Sequence, residues 1–275
     1  MYVRKSVVAG SFYPGDPDKL RSMIKGYLDI AVKERPEISG KITGIISPHA
    51  GYVYSGQVAA YGFSYLNSVE TDTFIVLAPS HRARFKGASV IPEGLYSTPL
   101  GDAVIDSDMG KKLTALDNFG FIQEAHDLEH SLEVQVPFIQ VVNESAKIVP
   151  IVIGTTDLSL CISLGESIAS ALAGSGKKYT VVISTDLSHY HSYSSAAEMD
   201  KSLIKSIESF NESEVNRVLK SGKAEACGEG PIIAGMSLCR SMGAKSVKSV
   251  KYANSGDTAG SKDQVVGYMA AVFTG

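Results

Sequence analysis

The sequence predicts one α/β domain over residues 1–275: a three-layer fold with a largely parallel central sheet and helices on both faces. Continuous apolar runs at residues 41–47, 73–78, 146–154 and 179–184 are typical of strands that are buried on both faces. Segments with helical periodicity separate these runs, which is the pattern of a parallel sheet. With 275 residues and 44% apolar content, the chain can bury a substantial core, and no low-complexity linker divides it.

Local signals define the elements in order. Asp16 can cap a first helix that has Pro17 at its first position and ends at Pro36. A region of helical periodicity over residues 126–142 is interrupted by Pro137. Further helices are predicted over residues 56–66, 106–116, 158–172, 195–210, 212–220 and 231–242, and further strands over residues 88–92, 103–105, 247–253 and 265–273.

Composition narrows the class of protein. A net charge of −3 and a pI near 6.1 give no electrostatic basis for binding nucleic acid or an anionic membrane. No apolar run approaches the roughly 18 residues that a membrane span needs, and residues 7–12 are too short and too rich in Gly and Ser for a signal peptide core. The odd, sparse set of cysteines is typical of reduced thiols. We therefore expect a cytoplasmic protein.

Three of the six histidines share one setting. His49, His81 and His189 each follow a predicted buried strand by a few residues. Because parallel strands end at the same edge of a sheet, these side chains can converge there. Each histidine alone is better explained as a turn residue, but three at equivalent places favour a metal or acid/base site, since neutral imidazole is the commonest metal ligand.

Other residues near these positions have two interpretations each. Cys227 lies in a loop that leads into a helix, where a thiolate would be stabilised and could bind a soft or borderline metal, whereas Cys161 and Cys239 fit a core. Asp186 either orients an imidazole or forms a turn. Residues 254–257 either line the same crevice or form a plain turn, and Tyr54 either lines the pocket or packs.

A second histidine motif competes with the strand-end group. His126, Glu129 and His130 match the H-x-x-E-H pattern of inverted zincins, in which both histidines lie on one helical face. The motif ranks lower because it lies at a predicted helix start and no later segment offers a third ligand. Glu129 or His130 could instead cap the helix and reach toward the pocket.

Six segments together resemble the Memo family: residues 47–56, 79–81, 129–138, 184–190, 226–228 and 252–257. They extend over nearly the whole chain. The family is named for a mediator of ErbB-driven cell motility, and its prokaryotic members are also called component B of an AmmeMemoRadiSam system. Its fold is similar to that of the class III extradiol dioxygenases, which hold non-haem iron with two histidines and a glutamate.

The resemblance implies roles for particular residues. His49 and His81 would be the two imidazole ligands, and Cys227 stands where the dioxygenases have their glutamate ligand. His189 would be the catalytic acid/base, with Asp186 as its neighbour. The implied metal is iron, with copper or zinc as alternatives because a thiolate makes the site softer. The sequence itself offers five further candidate pocket residues: His130, Glu129, Tyr54, Asn254 and Asp257.

Three functions follow as hypotheses. The first is a metal-dependent oxidoreductase that acts on a small substrate in a dioxygenase-like pocket. The second is a binding module that takes a phosphopeptide or small ligand in the same pocket, since the carboxylate ligand is missing. The third is zinc-dependent hydrolysis through His126, Glu129 and His130. The family resemblance also implies radical-SAM and AMMECR-type proteins as partners.

Overall fold

A computed structural model describes residues 2–275 and confirms the predicted α/β class. Within these residues the strands are β1 (Val3–Arg4), β2 (Ile42–Ser47), β3 (Thr73–Pro79), β4 (Ala88–Val90), β5 (Leu95–Thr98), β6 (Gly101–Val104), β7 (Phe119–Gly120), β8 (Lys147–Ile153), β9 (Tyr179–Ser184), β10 (His189–His191), β11 (Ser246–Asn254) and β12 (Val265–Thr274). The helices are α1 (Pro17–Glu34), α2 (Tyr52–Ser64), α3 (Ser107–Thr114), α4 (Glu124–Asp127), α5 (His130–Glu133), α6 (Val136–Val142), α7 (Leu158–Leu172), α8 (Tyr193–Glu208), α9 (Glu212–Lys220), α10 (Glu229–Ser241) and α11 (Ser255–Thr258), with a 3-10 turn at Tyr65–Ser68.

The centre of the main sheet is parallel, as the apolar runs predict. Its four middle strands lie in the order β2-β9-β3-β8, and each pairs in parallel with its neighbour. The outer strands are mixed: β12 is antiparallel to β2, to β10 and to β11, and β4 is antiparallel to β8. The carboxyl ends of the four middle strands therefore share one edge, where ligands bind in folds of this kind.

Two hydrophobic layers cover the two faces of this sheet. Along β3, Phe74 and Val76 pack on one side in the layer that contains α1 and α2, whereas Ile75 and Leu77 pack on the other side with α7 and α10. All residues of β3 are buried, which explains why its sequence is continuously apolar instead of alternating. The arrangement is the predicted three-layer fold. Across residues 2–275, no helix combines the length and the apolar character that crossing a bilayer requires.

The helix starts follow the capping signals of the sequence. Asp16 accepts a hydrogen bond from the Lys19 amide at 2.9 Å, and Pro17 occupies the first position of α1. The structure differs over residues 126–142, where three short helices replace a continuous one. Glu129 has extended backbone angles (φ −84°, ψ 122°) and caps α5 through the Ser131 amide. The expectation that His126 and His130 share one helical face is therefore wrong.

A buried arginine connects the N-terminal segment to these short helices. Strands β1, β5 and β6 form a separate small sheet, and Arg4 in β1 is 2% exposed. Its guanidinium donates to the carbonyl oxygens of His126 (3.0 Å) and Glu129 (2.5 Å) and forms an ion pair with Glu133. The Glu133 carboxylate also accepts the Val7 amide at 2.9 Å. No local pattern predicts these contacts.

Removing the positive charge of Arg4 should destabilise the protein strongly. The variant Arg4→Met leaves the Glu133 carboxylate buried without its counter-charge, which typically costs about 3–5 kcal/mol. We expect that decrease in the free energy of unfolding, measured by urea titration. Lys111→Met is the matched control, because the Lys111–Glu93 pair is exposed on both sides and should contribute almost nothing. Equal effects of the two substitutions would contradict the role assigned to Arg4.

Candidate metal centre

Three histidines meet at the carboxyl edge of the parallel strands. His49 follows β2, His81 follows β3 and His130 begins α5. One ring nitrogen from each lies within 4.8 Å of the others, and the His81 and His130 rings stack with centroids 4.8 Å apart. A group of this kind could bind a metal ion. Its first two members are those that the strand ends predict, and the third comes from a helix start that faces the same edge.

Hydrogen bonds determine the tautomer of His49. Its Nδ1 lies 2.9 Å from the Ser184 hydroxyl. That hydroxyl donates its hydrogen to the Ser131 carbonyl oxygen at 2.6 Å and accepts one from the Gln135 amide at 2.8 Å. With its hydrogen already used, Ser184 can only accept from the imidazole. His49 therefore carries its hydrogen on Nδ1 and keeps a lone pair on Nε2.

Glu129 has the same effect on His81. Its carboxylate accepts from His81 Nδ1 at 2.8 Å and from the amides of His81 (2.6 Å) and Ser131 (3.0 Å). Burial alone would raise the pKa of Glu129, but these hydrogen bonds and the His81 charge outweigh it and lower the pKa to about 2. The ionised carboxylate can only accept, so His81 also carries a hydrogen on Nδ1, and in the neutral ring the lone pair lies on Nε2.

These residues fit a metal ion. Histidine ligands usually donate one ring N–H to a carboxylate, carbonyl or hydroxyl and bind the metal through the other nitrogen. Burial lowers the pKa of His49 well below its usual range, helped by repulsion from His130, His81 and His189. Burial also lowers the pKa of His130 to about 4. His49 and His130 are therefore neutral at pH 7, as metal ligands must be.

Cys227 contacts His49 but is not among the residues whose ligand atoms all lie within 4.8 Å of one another. Its Sγ is 3.1 Å from His49 Nε2, and it accepts the Asp186 amide at 3.2 Å. Burial raises the pKa of Cys227 above its ordinary value, with a further increase from the Asp186 charge, so the metal-free site holds a thiol. The Asp186 carboxylate accepts the His49 amide at 2.7 Å, and burial raises the pKa of Asp186 to about 7. The structure thus brings Cys227 and Asp186 to the histidine group.

His189 lies at the edge of the site. It begins β10, and its amide donates to Glu225 at 3.3 Å. Its charge influences the pKa of His49, but it is not one of the three histidines that lie within 4.8 Å of one another. Burial lowers the pKa of His189, so its imidazole is neutral near pH 7. The strand-end pattern thus brings all three histidines to one region, with His189 further out.

The other predicted pocket residues have more local contacts. Asn254 and Asp257 form a capping box around α11, in which the Asn254 amide donates to Asp257 at 3.0 Å. Asp257 also accepts the Tyr193 hydroxyl at 2.6 Å. Tyr54 lies in the first turn of α2 and is 40% exposed. The capping contacts agree with the simpler interpretation of residues 254–257 as a turn.

The H-x-x-E-H motif does not form a zincin site. His126 is buried, and its Nε2 lies 2.9 Å from the Ser89 hydroxyl instead of beside His130. Glu129 is already occupied by His81 and the Ser131 amide. Because the chain breaks between α4 and α5, the side chains of His126 and His130 lie in different parts of the structure. The motif therefore contributes Glu129 and His130 to the strand-end site.

Sequence reasoning missed the three buried polar residues that orient the imidazoles. Ser131, Gln135 and Ser184 are each at most 1% exposed. Ser184 ends an apolar strand, and Ser131 and Gln135 lie in a segment that resembles the Memo family. A polar residue at the end of a buried strand is a weak signal for such a role. Their partners are distant in sequence, so only the fold reveals them.

The comparison with known proteins agrees with this geometry. The family described as Memo-like protein matches residues 4–272. The chain belongs to the Memo family. It is 35% identical over 280 residues to a MEMO1 family protein of Methanopyrus kandleri, with 98% of each chain covered. Similar relatives are MEMO1 family proteins of Desulfurococcus amylolyticus (36% identity over 282 residues) and Methanosarcina mazei (36% over 279 residues), with 99% of each chain covered.

Removing the Ser184 hydroxyl should weaken metal binding in this Memo family protein. In Ser184→Ala the hydrogen bond that keeps the His49 proton on Nδ1 is lost. Substitution of such outer partners typically lowers metal affinity by about 10–100-fold. We expect that decrease in a Zn²⁺ titration, together with mixed His49 tautomers in ¹⁵N NMR spectra. Ser237→Ala is the control, because it removes a buried hydroxyl that donates to Ile162 within the helical layer; an equal loss there would contradict the prediction.

Proposed function

We propose that this Memo family protein binds one redox-active metal ion through His49, His81 and Cys227 and acts as an oxidoreductase on a small substrate. We propose iron as the metal, with copper as the alternative. The observation that carries the proposal is the pair of oriented imidazoles, in which each Nδ1 hydrogen is engaged and the lone pair of the neutral ring lies on Nε2. Two imidazoles and a thiolate suit iron, copper or zinc better than magnesium.

Cys227 and His130 compete for the third ligand position. We favour Cys227 because its Sγ already lies 3.1 Å from the Nε2 atom of His49. The Nδ1 atom of His130 lies 3.4 Å from Glu129, and its ring stacks on His81, which supports a role in packing the site. When bound, a redox metal would supply electron transfer and Lewis acidity.

Two residues of the chain can handle protons in this site. Asp186 has a pKa near 7, so it can hold or release a proton beside Cys227 at neutral pH. His189 is neutral at the edge of the histidine group and can accept a proton there. We propose His189 as the acid/base and Asp186 as its neighbour. A cytoplasmic location belongs to the same proposal and is supported by three cysteines that are free in the structure.

A binding module without turnover is the second candidate function. It is favoured by the thiol at Cys227, since a protonated thiol donates to His49 instead of offering the charged ligand of a dioxygenase. Oxygen consumption separates the two functions. Steady consumption with a catechol or dihydroxy compound, abolished in His189→Ala, would support the oxidoreductase. Ligand binding without any consumption would support the module.

Metal content tests the centre itself. Protein purified without oxygen should contain about one iron or copper per chain, measured by elemental analysis. His49→Ala and His81→Ala should lose it, because each removes an oriented Nε2. His126→Gln is the control and should keep the metal, since His126 faces Ser89. Unchanged metal content in both His49→Ala and His81→Ala would overturn the proposal.

Proton release identifies the third ligand. At pH 8.5 the Cys227 thiol is still protonated, whereas Asp186 and His130 have already lost their protons. Zn²⁺ binding to metal-free protein should therefore release about one proton if the thiolate binds. Calorimetry in two buffers of different ionisation enthalpy measures this number. We expect about one proton for the wild type and His130→Gln, and close to none for Cys227→Ser; no release from the wild type would exclude Cys227.

A further inference from the structure

A cavity opens beside Cys227 of the proposed centre. It has a volume of about 260 Å³ and is lined by the ends of β3 and β8, the loop after β3 and the start of α10. Its lining includes Cys227, so it reaches the residue that contacts His49. Its lining also includes Arg84, Phe85, Ile153, Thr155 and Pro231.

Two glycines fix the walls of this cavity. A Cβ on Gly154 would lie 2.6 Å from the ring of Phe85, so only glycine lets that ring pack where it does. A Cβ on Gly230 would lie 2.2 Å from the Thr155 carbonyl oxygen, so glycine also permits α10 to approach β8 closely. Two walls of this half-open cavity are therefore formed by tightly packed groups.

The loop above the cavity carries three cationic side chains that are exposed to solvent. Residues 80–86 contain Arg82, Arg84 and Lys86 and no carboxylate. Within the part of the chain that the structure describes, the ion pairs use other cations: Arg4, Lys111, Lys177, Lys178, Arg217, Lys220 and Arg240. Of the three loop cations, only Arg84 lines the cavity. An unpaired guanidinium at a cavity wall is suited to a carboxylate, which it can bind through two parallel hydrogen bonds.

The other lining residues restrict the polarity and charge of such a ligand. Phe85, Ile153 and Pro231 give the cavity an apolar wall. The Thr155 hydroxyl is engaged by the Asp157 amide at 3.2 Å, and its carbonyl faces α10. Charged recognition therefore rests on Arg84, while the apolar wall favours a hydrocarbon body. Inorganic phosphate would use the guanidinium but leave the apolar wall uncovered.

We propose that this cavity binds a small organic acid, with its carboxylate on Arg84 and its apolar body against Phe85 and Ile153. The far end of such a molecule meets Cys227, so the acid is the substrate class of the proposed metal centre. That last assignment rests on the proposed function, whereas binding in the cavity does not need a metal. An experiment can therefore contradict acid binding in the cavity without contradicting the metal centre, and the reverse also holds.

Benzoate is a suitable probe because it combines one carboxylate with an apolar ring. Metal-free and Zn²⁺-loaded full-length protein are titrated with benzoate, benzamide and inorganic phosphate, and binding is followed by NMR chemical shifts. We expect Arg84→Gln to weaken benzoate binding at least about tenfold, because it removes a charge-assisted pair. Benzamide has the same shape without charge and should bind the wild type correspondingly more weakly. Arg82→Gln is the matched control, with the same charge loss in the same loop outside the cavity lining.

Further variants test the apolar wall and the position of the ligand. Phe85→Ala should weaken benzoate but leave acetate binding unchanged. Benzoate should also shift the NMR signals of Thr155 and Cys227, which line the same cavity as Arg84. No saturable benzoate binding, or equal effects of Arg84→Gln and Arg82→Gln, would overturn the proposal. If phosphate bound as tightly as benzoate, the proposed contact between an apolar ligand body and the cavity wall would be wrong. Benzoate binding as expected, together with metal content that is unchanged in His49→Ala and His81→Ala, would support the cavity and refute the metal centre alone.

Discussion

One chain of buried hydrogen bonds connects the two principal imidazoles. His49 donates to the Ser184 hydroxyl, which donates to the carbonyl oxygen of Ser131. The amide of the same Ser131 donates to Glu129, which accepts the His81 ring. Each donor along this chain has one acceptor, so the proton positions on both rings are determined together. Loss of any link would leave a buried polar group unsatisfied, which costs about 1–3 kcal/mol.

The rest of the structure holds this chain in place. The parallel pairing of β2, β9 and β3 brings the residues after their ends to one edge. The start of α5 must reach that edge to supply Ser131 and Glu129, and Arg4 holds its backbone there through the Glu129 carbonyl and the Glu133 carboxylate. The small sheet that carries Arg4 thus supports a site on the large sheet. Its contribution is structural, and it touches neither imidazole.

The chemistry of the site follows from which groups are charged. Burial keeps His49 and His130 neutral, and Glu129 remains ionised because three N–H groups face it. The Cys227 thiol and the Asp186 carboxyl are the groups in which burial favours the protonated form. A metal ion would reverse that preference at the thiol, because its charge stabilises the thiolate. The histidine group could therefore hold a cation, and without one burial favours the protonated forms of Cys227 and Asp186.

Much of this protein could be predicted from local sequence patterns. Continuous apolar runs identify the middle strands, Asp16 and Pro17 mark the start of α1, and histidines after strands mark the edge where ligands bind. These features are local, since each depends on neighbouring residues. The motifs around His49, His81, Cys227 and Asp186 also resemble the Memo family, and the family model and the matched relatives confirm that the chain belongs to it.

Tertiary structure alone decided the contacts between distant residues. Arg4 and Glu133 are 129 positions apart, and His49 and Ser184 are 135 apart. The helical periodicity of residues 126–142 was misleading, because Glu129 gives up helical backbone angles to cap α5 and accept His81. These contacts stabilise the buried Glu129 carboxylate. Its partner His81 lies far away in the sequence, so no local pattern around Glu129 could predict the contact. The sequence by itself determined the strands and the residue types at their ends; only packing determined which nitrogen of each imidazole stays free.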